Sequence, residues 1–227
     1  MRILPFAALA VVAAAATIAE LEKARDQQDR ATLERIAAEW SGLAEKTPND
    51  AKVQYNAAVA QSIVAEVALE MRDRGPAKAA AEAGIRKAEC AVALKPRDAE
   101  YHRILGTLCG QVIPANVLGV LKYGKCAQEE ISKAIELDPK SARAYLSRGV
   151  GNFYLPRALG GGAELAIKDF EKALSLNPKL AEAHVWLGVA LRKAGRNSEA
   201  RSAFSRAIEI NPARVWAKQQ LEKTPSN

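Results

Sequence analysis

The fold is decided by residues Ala181 to Arg214, which read AEAHVWLGVALRKAGRNSEARSAFSRAIEINPAR. This stretch divides into two amphipathic halves, joined by a short turn around Gly195. Its marker residues are Leu187, Gly188 and Leu191 in the first half, and Ala200, Phe204, Ala207 and Pro212 in the second. Small residues allow two helices to approach closely, and the large residue fills the gap between them. The stretch therefore predicts a packed antiparallel pair, which we call helix A and helix B.

The second half of this pattern recurs along the chain, and each copy ends at a proline. The closing residues are Pro48, Pro96, Pro139, Pro178 and Pro212. The intervals between them are 48, 43, 39 and 34 residues, so the surplus over the last interval falls from 14 to 9 to 5 to none. The beginning of helix A and the pattern of helix B stay constant. The surplus is therefore expected between helix A and helix B of each repeat.

The surplus residues give different signals in the three longer repeats. In the first, helix A is predicted to run for about 20 residues until Gly75 and Pro76 end it. In the second, the surplus contains the run 111–116, which includes Pro114, and Gly119. In the third, it contains the run 155–162. Because the last two segments are apolar, they predict ordered loops that pack on the protein.

The marker pattern resembles that of the tetratricopeptide repeat (TPR) family, with large–Gly–large in helix A, A-x3-F in helix B and a closing proline. The resemblance implies an all-α fold, a TPR-type α-solenoid of antiparallel helix pairs with a C-terminal capping helix. It also implies that helix A lines a concave face. TPR arrays are scaffolds whose partners are set by variable surface residues, so the fold implies a protein or peptide partner without identifying it.

These repeats predict a single TPR domain over residues 20–227. It comprises a degenerate pair at 20–50, repeats at 51–98, 99–141, 142–180 and 181–214, and a capping helix at 214–223. Each pair buries its apolar face only against its neighbours, so isolated repeats are not expected to be stable.

Residues 1–19 are predicted to be a secretory signal peptide. Arg2 precedes an apolar run from Ile3 to Ala19, and cleavage after Ala16 or Ala19 would satisfy the preference for small residues. An uncleaved membrane anchor is the alternative, although the run is short for a membrane span. The sequence thus predicts an exported protein, periplasmic in a Gram-negative cell, whose membrane contact is limited to an uncleaved signal.

Charge and motifs favour a binding protein over an enzyme. The net charge is +7 with acids and bases interspersed, which is typical of solvated helix faces and offers no nucleic-acid-binding track. The segment Gly119–Cys126 matches a phosphate loop except that Cys126 replaces the hydroxyl residue, and no strand precedes it. His102 and His184 occupy the same helix-A position in two repeats, which indicates packing. We expect no catalytic residue, no metal and no cofactor.

Two further features leave alternatives open. Cys90, Cys109 and Cys126 are either small buried helix residues, or two of them form a disulfide between adjacent helices. Gly160–Gly162 predicts a tight loop, with anion binding at the next helix as the alternative. The surrounding LGGGAELAIKDFEKAL resembles a segment of periplasmic TPR proteins associated with TRAP-type transporters.

The helix-A positions that face inward in TPR proteins give a candidate partner site. The site residues are Arg103, Thr107, Arg143, Leu146, Val150, Phe153, Val185, Val189 and Arg192. These residues form either a groove with basic margins or a surface that the inserted loops cover. The basic clamp of chaperone-binding TPR proteins is not reproduced, because Glu182 and Trp186 stand at its positions.

The sequence thus favours an exported, non-enzymatic scaffold that binds a protein segment on its concave face. The alternative is a periplasmic small-ligand-binding component of a transporter, with the surplus loops roofing a cavity.

Overall fold

The computed structural model describes residues 19–115 and 120–226. Apart from residue 19, the predicted signal peptide lies outside these ranges. All regular secondary structure within them is helical, so the all-α prediction is confirmed. The helices are α1 (19–27), α2 (Arg30–Lys46), α3 (Ala51–Glu70), α4 (Arg74–Leu94), α5 (Ala99–Ala115), α6 (Val120–Leu137), α7 (Ala142–Tyr154), α8 (Ala163–Leu176), α9 (Ala181–Lys193), α10 (Asn197–Ile210) and α11 (Val215–Glu222). Among the helices in these ranges, none is both long and apolar enough to span a membrane.

The helices stack as a solenoid. Each helix A packs on its own helix B, as α3 on α4 and α9 on α10, and also contacts helix A of the next repeat, as α3 contacts α5 and α5 contacts α7. Side-chain caps set several helix starts. Asp50 accepts hydrogen bonds from the backbone of Lys52 and Val53, and Ser141 accepts one from Ala144. Buried apolar clusters between successive pairs form the core.

The repeated glycine exists because helix B approaches helix A most closely there. A Cβ atom added to Gly188 would lie 2.6 Å from the Phe204 ring, and one added to Gly149 would overlap the Phe170 ring. Phe170 and Phe204 are both fully buried. The large–Gly–large and A-x3-F patterns are therefore the two sides of one contact.

In the first repeat, the surplus residues extend both helices. α3 has 20 residues against 13 in α9, and α4 has 21 against 14 in α10, so each helix gains about two turns. The prediction that Gly75 and Pro76 end helix A is wrong. α3 ends at Glu70, with Arg72 in the left-handed region (φ 62°), and the Gly-Pro pair lies in the first turn of α4. Proline is tolerated there because first-turn N–H groups have no partner within the helix.

In the second repeat, the predicted apolar loop at 111–116 is also wrong over its described part. Residues 111–115 continue α5 through Pro114. Leu108 and Val112 lie four residues apart and are both fully buried, so the apolar residues form one packed helix face. α5 and α6 have 17 and 18 residues, four more each than α9 and α10.

Within residues 19–115 and 120–226, the third repeat is the one that carries surplus residues as a loop. α7 and α8 have 13 and 14 residues, and between them lie residues 155–162 with a 3₁₀ turn at Arg157–Leu159. Gly160 and Gly162 have φ values of 82° and 114°, and a Cβ atom at Gly161 would overlap the carbonyl of Leu155. The tight-loop prediction for the three glycines is therefore confirmed.

The first and last elements of the array touch each other. The Asn211 side-chain amide donates to Asp26 over 2.8 Å, and the Gln219 amide donates to Gln28 over 3.1 Å. These contacts join the end of α1 and the α1–α2 turn to the α10–α11 turn and α11, across about 190 residues of sequence. We call this junction the seam.

Candidate functional site

The concave face of α3, α5 and α7 is a ladder of polar side chains that bond to one another. The Ser62 hydroxyl donates to Gln111 over 3.1 Å, and the Thr107 and Ser147 hydroxyls lie 2.9 Å apart. Tyr55 donates to Glu100 over 3.0 Å. These bonds join each helix A to the next, so this end of the predicted groove is polar.

Two of the predicted basic residues lie at this ladder. The Arg103 guanidinium donates two hydrogen bonds to Glu100, at 2.6 and 2.8 Å, and its side chain is 12% exposed. Arg143 also faces Glu100, at 3.9 Å, but its side chain is 61% exposed. Burial and the Glu100 charge raise the pKa of Tyr55 to about 12, so its hydroxyl stays protonated and remains a donor. Arg143 is the one of the two that is free to contact a partner's acidic group.

Aromatic side chains occupy the other end of the concave face. Phe153, Tyr154, Trp186 and Trp216, which we call the aromatic group, lie on α7, α9 and α11. Trp186 is their centre, with ring centroids 5.8 Å from Phe153, 6.1 Å from Tyr154 and 5.2 Å from Trp216. The Lys193 ammonium lies 4.1 Å from the Phe153 ring centroid. Tyr154 is 40% exposed, so the aromatic group reaches the surface.

Of the remaining predicted site residues, some are half-buried at the surface, and the others already take part in contacts within the protein. Leu146 and Val150 are half-buried beside the aromatic group and pack on the same core. Val185 is fully buried and Val189 nearly so, because both face α9's neighbours, and they form core instead of contact surface. Arg192 donates to Gln220 and to the Thr224 hydroxyl, and thereby holds α11. For these last three residues the predicted contact role is corrected.

A buried ion cluster lies inside the seam, and sequence reasoning missed it. Arg214 is 1% exposed and donates to Glu66 (2.9 Å), to Glu182 (3.0 and 3.1 Å) and to Glu70. Asp26 and Arg25 complete the group, which we call the seam cluster; they pair with each other at 2.8 Å. One side chain from the α10–α11 turn thus bonds to both α3 and α9.

The charges of the seam cluster do not balance. It holds four carboxylates and two guanidiniums. Burial and the neighbouring charges of Glu182 and Glu70 raise the pKa of Glu66 to about 8. Although burial disfavours its charged form, Arg214 and Arg25 hold the pKa of Glu182 below its usual value. Burial also raises the pKa of Glu70, so the two α3 carboxylates together hold protons more readily than carboxylates in water do, which reduces the excess negative charge of the cluster.

Three of these carboxylates have the spacing of a metal site. One oxygen each of Glu66, Glu70 and Glu182 lies within 4.8 Å of the others. Arg214 donates to all three, so its guanidinium takes the position that a cation would need.

The catalytic and ligand motifs have structural explanations. The segment does not have the form of a phosphate loop, because Val120 to Lys125 are helical in α6 and the described element before them is helix α5, whereas a phosphate loop curls between a strand and a helix; Gly119 lies outside the described residues. His102 and His184 each place Nε2 at 3.0 Å from the carbonyl of the closing proline six residues earlier. This shared contact shows that the two histidines occupy the same position of their repeats; His102 alone also lies 2.6 Å from a Glu130 oxygen.

The cysteines follow the disulfide alternative. Cys109 on α5 and Cys126 on α6 are bonded, with their Cα atoms 6.0 Å apart, whereas Cys90 is an exposed free thiol. The bond joins helix A to helix B of the second repeat.

Two depressions on the described surface are shallow. One is lined by the α2–α3 turn and the end of α4, and the other by one exposed side of α6. Both lie outside the concave face, and the described parts of the stretches that were expected to roof a cavity are helical in the first two repeats.

Comparison with known proteins bears on the fold. Residues 160–215 match the tetratricopeptide repeat family. A search of curated proteins gives no match. A thermophilic TPR protein of Thermus thermophilus is 20% identical, with 85% of this chain and 92% of that chain covered and a TM-score of 0.61. YrrB, described as a TPR protein with an unusual peptide-binding site, is 20% identical, with 84% of each chain covered and a TM-score of 0.46. Residues 160–215 are thus tetratricopeptide repeats by sequence, and the chain has the fold of a TPR protein.

Proposed function

We propose that this protein is an exported, non-enzymatic TPR scaffold that binds a segment of another protein on its concave face, beside the aromatic group. The coarse part, a TPR fold suited to protein–protein interaction, follows from the repeats. The observation that carries the finer part is the aromatic group, in which Tyr154 is 40% exposed on a helix-A face.

Partly exposed aromatic side chains suit such a site. Tyr and Trp are enriched among the residues that dominate binding energy, because they bury a large area at low entropic cost. Leu146 and Val150 extend the apolar surface, and Lys193 lies at its margin. A partner segment with apolar anchors would remove Tyr154 and Phe153 from water. Exposed Arg143 would attract an acidic residue in that segment.

Export is the second part of the proposal. The apolar run from Ile3 to Ala19 predicts a signal peptide. A disulfide between Cys109 and Cys126 supports an oxidising compartment, because such bonds are rare in the reducing cytosol.

Site-specific photocrosslinking in the native compartment tests this proposal. With benzoylphenylalanine in place of Tyr154, we expect one or a few discrete crosslinked proteins, identified by mass spectrometry. The matched control places the same group at Lys168, which is exposed on helix B of the same repeat. Crosslinks that are equal at the two positions, or found only at Lys168, would contradict the concave site.

A further inference from the structure

The seam cluster depends on the elongated first repeat. α9, a helix A of ordinary length, has 13 residues, whereas α3 has 20, and Glu66 and Glu70 both lie in the two added turns. A shorter α3 would end before these carboxylates. The added turns therefore carry the acidic groups that receive Arg214 from the far end of the array.

Closing the array buries charge that water would otherwise solvate. The side chains of Arg214 and Glu70 are 1% and 3% exposed, and that of Glu182 is 14% exposed. Losing one partner of a buried ion group strands the others, which makes the contact all-or-none. Such a contact is suited to hold two discrete states, joined and separated.

We propose that Arg214 is a latch between the first and last repeats. When its side chain lies in the pocket formed by Asp26, Glu66, Glu70 and Glu182, the two repeats are joined. When the side chain leaves this pocket, the concave face opens. In the joined state, Arg214 occupies the inner faces of α3 and α9. In the separated state, these faces become free. The expectation that the separated state binds the partner more readily rests on the proposed function, whereas the proposal of the latch itself does not.

Proton uptake strengthens the latch. The groups that face Glu66 and its neighbours are Arg25 and Asp26 of α1, Glu70 of α3, Tyr154 of α7, Glu182 of α9 and Arg214. Because Glu66 titrates higher in the joined state than in water, closure takes up a proton between about pH 5 and 8. The contribution of Glu66 to closure is fully present below its ordinary pKa, and it is lost as the pH rises through about 8. Alkaline pH should favour opening.

A distance across the seam tests the latch. Nitroxide labels on exposed Cys90 of α4 and on a Ser198→Cys variant of α10 report the separation of the first and last repeats by pulsed electron paramagnetic resonance. We expect one narrow distance peak near neutral pH. In Arg214→Ala this peak should be lost to a broad, longer distribution. Arg206→Ala is the matched control, because Arg206 is exposed on α10 and pairs only locally with Glu209 in the described structure.

A neutral variant guards against simple unfolding. In Glu66→Gln/Glu70→Gln/Glu182→Gln/Arg214→Gln, all three carboxylates that accept hydrogen bonds from Arg214 are made neutral, so loss of the arginine strands none of them, and helicity by circular dichroism checks the fold. We expect this folded variant to open as well. If it is helical and keeps the narrow peak, the latch is refuted.

Chemical rescue identifies the group that closes the seam. Millimolar methylguanidinium should restore the narrow peak in Arg214→Ala, whereas methylammonium at the same concentration should not, because only a planar guanidinium forms paired bonds to carboxylates. Equal effects of the two cations would overturn the assignment to a guanidinium site. These readouts measure closure alone, so a failed latch and a failed partner site are distinguishable.

Discussion

At the residue scale, the glycines of helix A are determined by the rings that they contact. Gly149 and Gly151 both lie in α7, yet only Gly149 faces Phe170, and a Cβ atom at Gly151 would have no heavy atom within 4 Å. The sequence pattern identified Gly149 by its spacing, because its contact lies within one repeat. The pattern did not predict whether Gly151 has a packing contact.

These two glycines provide a matched pair of substitutions. Gly149→Ala should lower the free energy of unfolding by about 1–3 kcal/mol, because the added methyl group overpacks the contact with Phe170. Gly151→Ala should raise it by about 0.5–1 kcal/mol, because alanine restricts the unfolded chain and favours a helix. Urea unfolding followed by circular dichroism measures both. Equal effects of the two substitutions would contradict the packing explanation.

At the element scale, repeat arguments predicted the order of the helices but not the form of the surplus. Pro114 suggested a break but lies within α5, and the Gly75-Pro76 pair suggested the end of helix A but lies in the first turn of α4, after α3 has ended at Glu70. A proline signal identifies a change in hydrogen bonding, but it does not distinguish the start or last turn of a helix from a loop. The buried faces of α3 and α5 decided the outcome, and tertiary packing of this kind overrides local signals.

The disulfide between α5 and α6 should stabilise this helix pair. The bond closes a loop with a sequence separation of 17, for which chain entropy gives about 3 kcal/mol. Cys109→Ala/Cys126→Ala should therefore lower the free energy of unfolding by about 2–4 kcal/mol. Cys90→Ala should change it little, because Cys90 is an exposed free thiol. The disulfide explanation fails if the double variant is as stable as Cys90→Ala.

At the scale of the whole molecule, the seam adds contacts between the first and last repeats, which are not neighbours in the array. In an ordinary solenoid each repeat contacts only adjacent repeats. An interpretation of the sequence one repeat at a time therefore places Arg214 at the end of a repeat and predicts no partner for it. The carboxylates that accept hydrogen bonds from Arg214 lie up to 148 residues away. No local pattern connects them, although Glu66 and Glu70 lie in the unusual surplus that the sequence does reveal.

Joining the ends also defines the concave face. The polar ladder occupies α3, α5 and α7, the seam cluster joins α3 to α9, and the aromatic group occupies α7, α9 and α11. Of the nine predicted site residues, two lie in the second repeat, four in the third and three in the fourth. Among these residues, only those of α7 keep partly exposed apolar surface beside Tyr154, because Val185 and Val189 are core residues and Arg192 holds α11.

The central claim is that the first and last repeats are joined through Arg214, and a double-mutant cycle tests it most directly. Arg214→Ala, Glu70→Ala and the double variant are compared with the unmodified protein by urea unfolding. We expect a coupling free energy of about 1.5–3 kcal/mol between residues 144 positions apart, because the two buried side chains are directly bonded and loss of Arg214 removes the ion-pair partner of Glu70. Additivity within about 0.5 kcal/mol, as expected for Arg206 with Glu70, would contradict the claim.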